Sequence, residues 1–299
     1  MTRSDWRIGM VGLGALGLPM AVNLHQAGLN LQVHTRSRRA ESDPQLTGAR
    51  GCSNPAAAAD NVDVLLLCVS DDNAVNNVLF GPDGAAERLQ PGSIVIDCST
   101  ISPKGAQQAA AQLQRIDVDY LDAPVTGGTE GARSGSLTVL VGGDAAVLAK
   151  VRPLLEVIGG SIHHIGPVGR GQQAKAVNQV LVAGSYAAVA EAIALGQHLQ
   201  LPMPAVVEAL RHGAAGSWAL EHRSNAMLKD HYPLGFKLAL HHKDLSIALE
   251  AAKQAGLELP ITHAVQEQEL ALMQAGLGEA DVSVLRRSLP AAETKPLSA

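Results

Sequence analysis

Ile8-Gly9-Met10-Val11-Gly12-Leu13-Gly14-Ala15-Leu16-Gly17, read with the residues that follow it, decides the fold. Residues 8–11 have the pattern of a short buried strand, glycine recurs at 12, 14 and 17, and residues 19–27 carry a helical pattern before a second apolar strand at 31–34. Such a glycine run alone says little, because glycine-rich turns are common. A strand before it, a helix after it and a second strand on time make it a strand-helix-strand unit. The glycines permit a tight turn and let the backbone approach an anion at the helix N-terminus, where unpaired N–H groups and the helix dipole favour negative charge. Gly12, Leu13, Gly14, Ala15, Leu16 and Gly17 are therefore candidates for cradling a pyrophosphate. A purely structural strand-to-helix turn is the alternative.

The second strand ends a little over ~20 residues past the first glycine, where a carboxylate would take the ribose 2′-hydroxyl of NAD. Thr35, Arg36, Ser37, Arg38 and Arg39 stand there instead, and Glu41 is the first acid. Hydroxyls and guanidiniums suit a 2′-phosphate. Thr35, Arg36 and Ser37 are thus read as cofactor-binding, and NADP(H) is expected in preference to NAD(H). The same charges also read as a solvated basic loop.

Alternation continues with strands at 62–69, 93–98, 119–123, 137–141 and 161–165 and helices at 102–115 and 145–157. Repeated strand and helix specify a doubly wound α/β sheet. Ligands of such sheets lie beyond the carboxyl ends of the strands, which singles out Cys68, Val69, Ser70 and Asn73 after one strand and Ser99 and Thr100 after another. Each alone is compatible with ordinary turn chemistry.

Asp122-Ala123-Pro124-Val125-Thr126-Gly127-Gly128-Thr129 sets a hydroxyl beside two glycines. Successive glycine N–H groups make a concave donor surface that holds a carboxylate without a cation; a plain loop with tight turns is the rival reading. Further on, residues 172–200 have a polar entry and a long apolar body, in which only Ser185, Tyr186 and Glu191 are clearly polar between Val180 and Leu195. A helix apolar on nearly every face is expected to be buried. As a membrane span it falls short of the ~18 to 20 uninterrupted apolar residues required, and it carries Glu191. Lys175 and Asn178 at its entrance are three residues apart, so they share a face and can reach one bound molecule.

The 299 residues allow about two domains, and a hydrophobic content of 46% with only 2% aromatics implies cores of Ala, Val, Leu and Ile. A net charge of −5 gives no footprint for nucleic acid. Cys52, Cys68 and Cys98 have no paired spacing and read as reduced thiols, and residues 1–7 contain no apolar export segment, so a cytoplasmic location is expected. After residue 201 only helices are expected, at 204–211, 220–228, 234–255 and 263–275, with a flexible tail over 290–299. Leu238, His242, Leu245 and Leu249 form the packing seam of the third, and Lys243 lies off it. Trp218, after Gly216 and Ser217, is a candidate substrate wall or a core residue. The adjacent pairs His163-His164 and His241-His242 have poor ligand geometry, so no metal is expected.

Over nearly its whole length the chain resembles the β-hydroxyacid dehydrogenase family, which includes 3-hydroxyisobutyrate dehydrogenase and 2-hydroxy-3-oxopropionate (tartronate semialdehyde) reductase. The resemblance rests on Gly12 to Ala21, Asp122 to Gly128, Gly171 to Asn178 and Lys243-Asp244-Leu245. It implies a Rossmann-like N-terminal domain (1–166) and an all-α C-terminal domain (167–289), joined by a long buried helix and usually supporting dimers or tetramers. It further implies Lys175 as catalytic residue, Asn178 as a substrate contact and Thr126, Gly127 and Gly128 as the carboxylate receptor. Cofactor contacts carry over onto Gly12 to Gly17, Cys68, Val69, Asn73, Thr100 and Lys243. Thr126 stands where serine is usual and Gln179 where a second asparagine is common.

The expected activity is NADP-dependent interconversion of a short carboxylate-bearing semialdehyde and its 3-hydroxyacid. An ammonium within reach of the carbonyl oxygen can stabilise its developing charge and donate the proton. Alternatives are reduction of succinic semialdehyde or glyoxylate, and an NADPH-binding regulatory protein without catalysis. Imine reductases share the architecture but generally lack the lysine.

Overall fold

The computed structural model describes residues 6–291, and the chain divides into two compact units, Met1–Lys175 and Ala176–Ala299. Of the tail expected over 290–299, residues 292–299 lie outside the described residues.

The first unit runs β1 (Arg7–Val11), α1 (Gly17–Gln26), β2 (Asn30–His34), β3 (Arg50–Gly51), α2 (Pro55–Ala59), β4 (Val64–Leu67), α3 (Asp72–Phe80), β5 (Ile94–Asp97), α4 (Pro103–Gln114), β6 (Asp119–Asp122), β7 (Val125–Thr126), α5 (Gly128–Ser134), β8 (Leu137–Gly142), α6 (Ala145–Ile158) and β9 (Gly159–Gly166). Its sheet has the order β3-β2-β1-β4-β5-β6-β8-β7, with β9 on β8. Pairing is parallel from β2 through β6 and antiparallel where β8 meets β6 and β7. Strand order reverses at β1, which makes the β1/β4 boundary the topological switch point of a Rossmann-like sheet.

Period-two alternation explains why the central strands are buried on both faces. Ile8, Met10, Val64, Leu66, Ile94 and Ile96 pack with Met20 and Leu24 of α1 and Leu148 and Val151 of α6. The alternate residues Leu65, Leu67 and Val95 pack with Ala58 and Ala59 of α2, Val75 and Leu79 of α3 and Leu113 of α4. Each fully buried Leu, Ile or Val contributes about 1.5–3 kcal/mol, so the two layers carry the unit's stability. Side-chain caps fix where the helices begin: Asn54, Asp71, Ser102 and Asp144 each accept a backbone N–H from the first turn of α2, α3, α4 and α6.

α7 (Arg170–His198) starts in the first unit and continues into the second, which adds α8 (Met203–Leu210), α9 (Trp218–Leu228), α10 (Leu238–Gln254) and α11 (Pro260–Leu272). The helical core gathers Ala183, Tyr186, Val189 and Ile193 of α7 with Leu220 and Met227 of α9, Leu238 and Leu245 of α10, and Val265 and Leu272 of α11. Burial of α7 is confined to one side, narrower than the all-round burial that its composition suggests. Val177, Leu181 and Leu195 are 62–70% exposed, because no helix among the described residues covers the side that also carries Ala188 and Ala192. By length and composition α7 could cross a membrane, with 44% of its most apolar window buried; its core-facing side is that of a packed helix.

Two expectations for α10 need correction. It begins at Leu238 and not at 234; the segment before it is held instead by the Asp281 carboxylate, which accepts the N–H groups of Gly235 and Phe236. Its buried seam runs through His241, not His242. His241 is fully buried and its Nδ1 lies 2.5 Å from Glu269 Oε1 on α11, a polar partner that an apolar pattern does not reveal.

Candidate active site

Register builds the site. Val11 pairs with His34 and with Leu67, Leu67 with Asp97, and Asp97 with Asp122. The residues that follow, Gly12, Thr35, Cys68, Cys98 and Ala123, therefore leave the sheet at one level. Along this edge the structure brings together most of the residues expected to hold a cofactor.

Gly12 has φ +99° and its N–H donates to His34 O at 2.9 Å. A Cβ on Gly12 would strike the Cys68 carbonyl, and one on Gly17 would strike the Gly12 carbonyl. Gly14 has open space, with nothing within 4 Å of a Cβ placed there. A turn closed behind and open in front suits a pyrophosphate at the start of α1. Leu13 is buried in the sheet's core and Leu16 packs against it, so these two shape the turn.

Beyond β2 the basic loop folds around Glu41. Its carboxylate accepts the Thr35 N–H at 2.9 Å and the Arg38 Nε–H at 2.7 Å, and the side chain is only 5% exposed. Glu41 thus reaches the end of β2 after all and is occupied there, while Arg36 and Ser37 are exposed. Sequence distance had hidden this. Beyond β4, the Val69 N–H donates to Ser99 Oγ at 2.9 Å, linking two of the loops. Burial pushes the Cys68 thiol up to about 12, which keeps it protonated and unreactive. Asn73 is exposed on the first turn of α3, and Thr100 follows β5.

Thr126 ends the short β7 opposite Thr138 of β8. Gly127 (φ +132°) and Gly128 (φ +63°) lead directly into α5. The expected glycine loop is thus a strand-to-helix turn whose conformation glycine permits. Lys175 lies on α7 at 7% exposure.

Asp122 and Gln172, which had no assigned role, organise this end of the unit. Asp122 accepts the N–H of Gly169 at 2.8 Å and of Gln172 at 2.9 Å. Gln172 in turn donates to Ser99 O at 2.8 Å and accepts the Ile101 N–H at 3.2 Å. Asp97 accepts from Ser99 N and from the Tyr120 hydroxyl, both at 2.9 Å. Desolvation raises both buried carboxyls, Asp97 and Asp122, to about 6.

In the helical unit Asn178 Nδ2 donates to Gln179 Oε1 at 2.7 Å, Gln179 Nε2 donates to Asp244 Oδ2 at 2.6 Å, and Lys243 Nζ lies 2.9 Å from Asp244 Oδ1. Gln179 therefore links Asn178 to Asp244 through its side-chain amide. Trp218 is 41% exposed, so it is not a core residue. It stacks on His222 with ring centroids 4.5 Å apart, and Arg223 lies 4.6 Å from its ring centre. The imidazoles have local partners: His163 with Ser161 Oγ at 2.7 Å, His164 with Gly143 O at 2.8 Å.

A switch-point sheet with a glycine turn open at the start of its first helix has the geometry of a dinucleotide-binding fold. The family described as the NAD binding domain of 6-phosphogluconate dehydrogenase matches residues 7–166. That described as the NAD-binding domain of NADP-dependent 3-hydroxyisobutyrate dehydrogenase matches residues 169–289. The chain is 38% identical to the 2-hydroxy-3-oxopropionate reductase of Escherichia coli over 283 residues, 95% of this chain and 97% of that one. It is 36% identical to the NAD-dependent L-serine dehydrogenase of Pseudomonas aeruginosa, over 94% of this chain and 97% of that one. It also superimposes on the crystal structure of 3-hydroxyisobutyrate dehydrogenase from Salmonella typhimurium with a TM-score of 0.88 and 30% identity, covering 95% and 100% of the two chains. The chain belongs to the β-hydroxyacid dehydrogenase family. It is an NAD(P)-dependent dehydrogenase that acts on a hydroxyacid.

Proposed function

We propose that this enzyme interconverts a short carboxylate-bearing semialdehyde and its 3-hydroxyacid, of the tartronate semialdehyde or 3-hydroxyisobutyrate type, with Lys175 as general acid and base. The observation that carries the reading is Lys175 itself, a lysine at 7% exposure in the entrance turns of α7. A buried lysine is uncommon unless its charge has a use. A nicotinamide dinucleotide, when bound, supplies the hydride for carbonyl reduction. The negative charge that reduction leaves on the substrate oxygen is stabilised by the Lys175 ammonium, whose Nζ donates the proton. Thr126, Gly127 and Gly128 hold the substrate carboxylate by hydroxyl and backbone N–H groups, with Asn178 and Trp218 as further substrate contacts. Gly12 to Gly17, Cys68, Val69, Asn73, Thr100 and Lys243 hold the cofactor.

NADP(H) is the preferred cofactor in this reading. Its support is that Glu41 is engaged by Thr35 and Arg38 while Arg36 and Ser37 are exposed for a 2′-phosphate. Residues 1–166 act as the cofactor domain and 167–289 as the substrate and oligomerisation domain of a cytoplasmic homodimer or homotetramer. Free Cys52, Cys68 and Cys98 suit a reducing compartment. Steady-state rates on tartronate semialdehyde, methylmalonate semialdehyde, succinic semialdehyde and glyoxylate, each with NADPH and NADH, test this. The highest kcat/KM should fall on one of the first two with NADPH. A preference for succinic semialdehyde or glyoxylate would replace the substrate class, and cofactor binding without turnover would favour a regulatory protein.

A further inference from the structure

Asp122 is buried at the end of β6, and its two oxygens point in different directions along one helix start. Oδ1 accepts the Gly169 N–H and Oδ2 the Gln172 N–H. Glycine stands at both close approaches: a Cβ on Gly142 would strike Asp122 Oδ1, and one on Gly171 would strike the Leu140 and Asp122 carbonyls and lie 2.9 Å from Asp122 Oδ2. Gln172 is 1% exposed, and its side chain bonds to Ser99 O and Ile101 N, the two backbone groups that flank Thr100. Lys175 is three residues on, so it shares the Gln172 face of α7.

We propose that Asp122, acting through the first turn of α7, is a positioning residue for Lys175, and that Gln172 ties the same turn to the loop carrying Thr100. This rests on the catalytic reading of Lys175 given above. A carboxylate accepts at both oxygens and complements the positive end of the helix. Once protonated, one oxygen becomes a donor facing an N–H, and the turn loses half of its anchor. Reaction rate is sensitive to such displacement, since about 1 Å of misplacement costs on the order of 100-fold.

The ionised carboxylate is therefore the working form, and its acid group sits at about 6. Other ionisable groups on the elements packed around it are Asp97 on β5, Asp119 and Tyr120 on β6, Arg170 and Lys175 on the first turns of α7, with Glu191 and His198 further along that helix, and His163 and His164 on β9, with exposed Lys104 on α4 and exposed Lys150, Arg152 and Glu156 on α6. Of these, Asp97 is likewise raised to about 6 by desolvation, so the test must separate it from Asp122.

The test measures kcat with tartronate semialdehyde and NADPH across pH 5–9 for the wild type, Asp122→Asn, Gln172→Met and Lys175→Ala. It adds NADPH affinity by fluorescence and amide hydrogen exchange at Gly169 and Gln172. Wild-type kcat should fall on the acid side with a midpoint near 6. Asp122→Asn should lower kcat at neutral pH by about 10- to 100-fold, abolish that acid limb, speed exchange at both amides and leave NADPH affinity within about twofold. An unchanged kcat in Asp122→Asn, or an acid limb that persists in it and so belongs to another group, overturns the proposal. Should Asp122→Asn fail to fold, Gln172→Met decides: lowered kcat with the acid limb intact supports the clamp, and wild-type kcat refutes it. If Lys175→Ala retains full turnover, the role of Lys175 is lost, and the exchange rates alone still decide whether Asp122 anchors α7.

Discussion

Gln179 Nε2 donates to Asp244 Oδ2 across 2.6 Å, with both side chains almost wholly buried among the helices of the second unit. Lys243 engages the other oxygen of the same carboxylate. Asp244 is thus the hub of this polar chain, and its loss leaves a buried amide unsatisfied. Asp244→Ala should lower stability by about 2–4 kcal/mol. Urea denaturation of the two proteins checks it, and a loss below about 0.5 kcal/mol would mean that the chain of bonds is incidental.

His241 and Glu269 form a second pair with no exposed surface, closed on one side by the ring of Phe236 in edge contact at 5.5 Å. Removing one partner strands the other, at a cost of about 3–5 kcal/mol, whereas replacing both with apolar residues of similar volume is often neutral. His241→Leu should therefore destabilise strongly, and the double change His241→Leu with Glu269→Leu should recover most of the loss. Thermal melts of the single and double variants decide; additive losses would contradict the account.

On the proposed preference for NADP(H), Arg36 of the loop after β2 makes a charge-assisted contact to the 2′-phosphate, and Arg36→Ala removes a contribution of the order of 1.5–3 kcal/mol. kcat/KM for NADPH should drop by about tenfold or more, while that for NADH stays within about twofold. Equal effects on both would show that the loop is only solvated surface.

Asp97 and Asp122 also set how stability depends on pH. Both rise from the ordinary 3.8 to about 6 through desolvation. Between roughly pH 4 and 6 the folded chain therefore holds protons that the unfolded chain has released. Unfolding is favoured as pH climbs through that window. Stability should thus increase from pH 7 to pH 5, by at most a few kcal/mol, since each tenfold gain in proton affinity is worth about 1.4 kcal/mol. Asp63 and Asp230, held below the ordinary range by hydrogen bonds from Arg7 and Arg287, act in the opposite sense and lose their contribution below about pH 4. Melting temperature against pH, with Asp97→Asn flattening part of the slope, tests this. If Asp122 works as argued, activity and stability diverge as pH falls through 6. A fall in stability over that range would contradict it.

The parallel sheet was legible because its signals are local: short apolar runs alternating with helical patterns, and glycine at 12, 14 and 17. The edge at which the parallel strands end was legible for the same reason, and register places the ends of β1, β2, β4, β5 and β6 at one height. What escaped was long-range polar pairing. Asp122 meets Gln172 across a sequence separation of 50, and His241 meets Glu269 across 28. No periodicity encodes such partners. Glu41 escaped differently: a left-handed Arg38, φ 60°, turns the loop back toward β2, and nothing in the identity of an arginine announces that conformation.

The central claim is that Lys175 performs the proton transfer, and its most direct measurement is turnover by Lys175→Ala beside NADPH titration of the same protein. kcat should fall by about 1,000-fold or more, in the range lost with an essential acid or base, while the NADPH dissociation constant changes by less than about twofold. Undiminished kcat with intact NADPH binding would contradict the account.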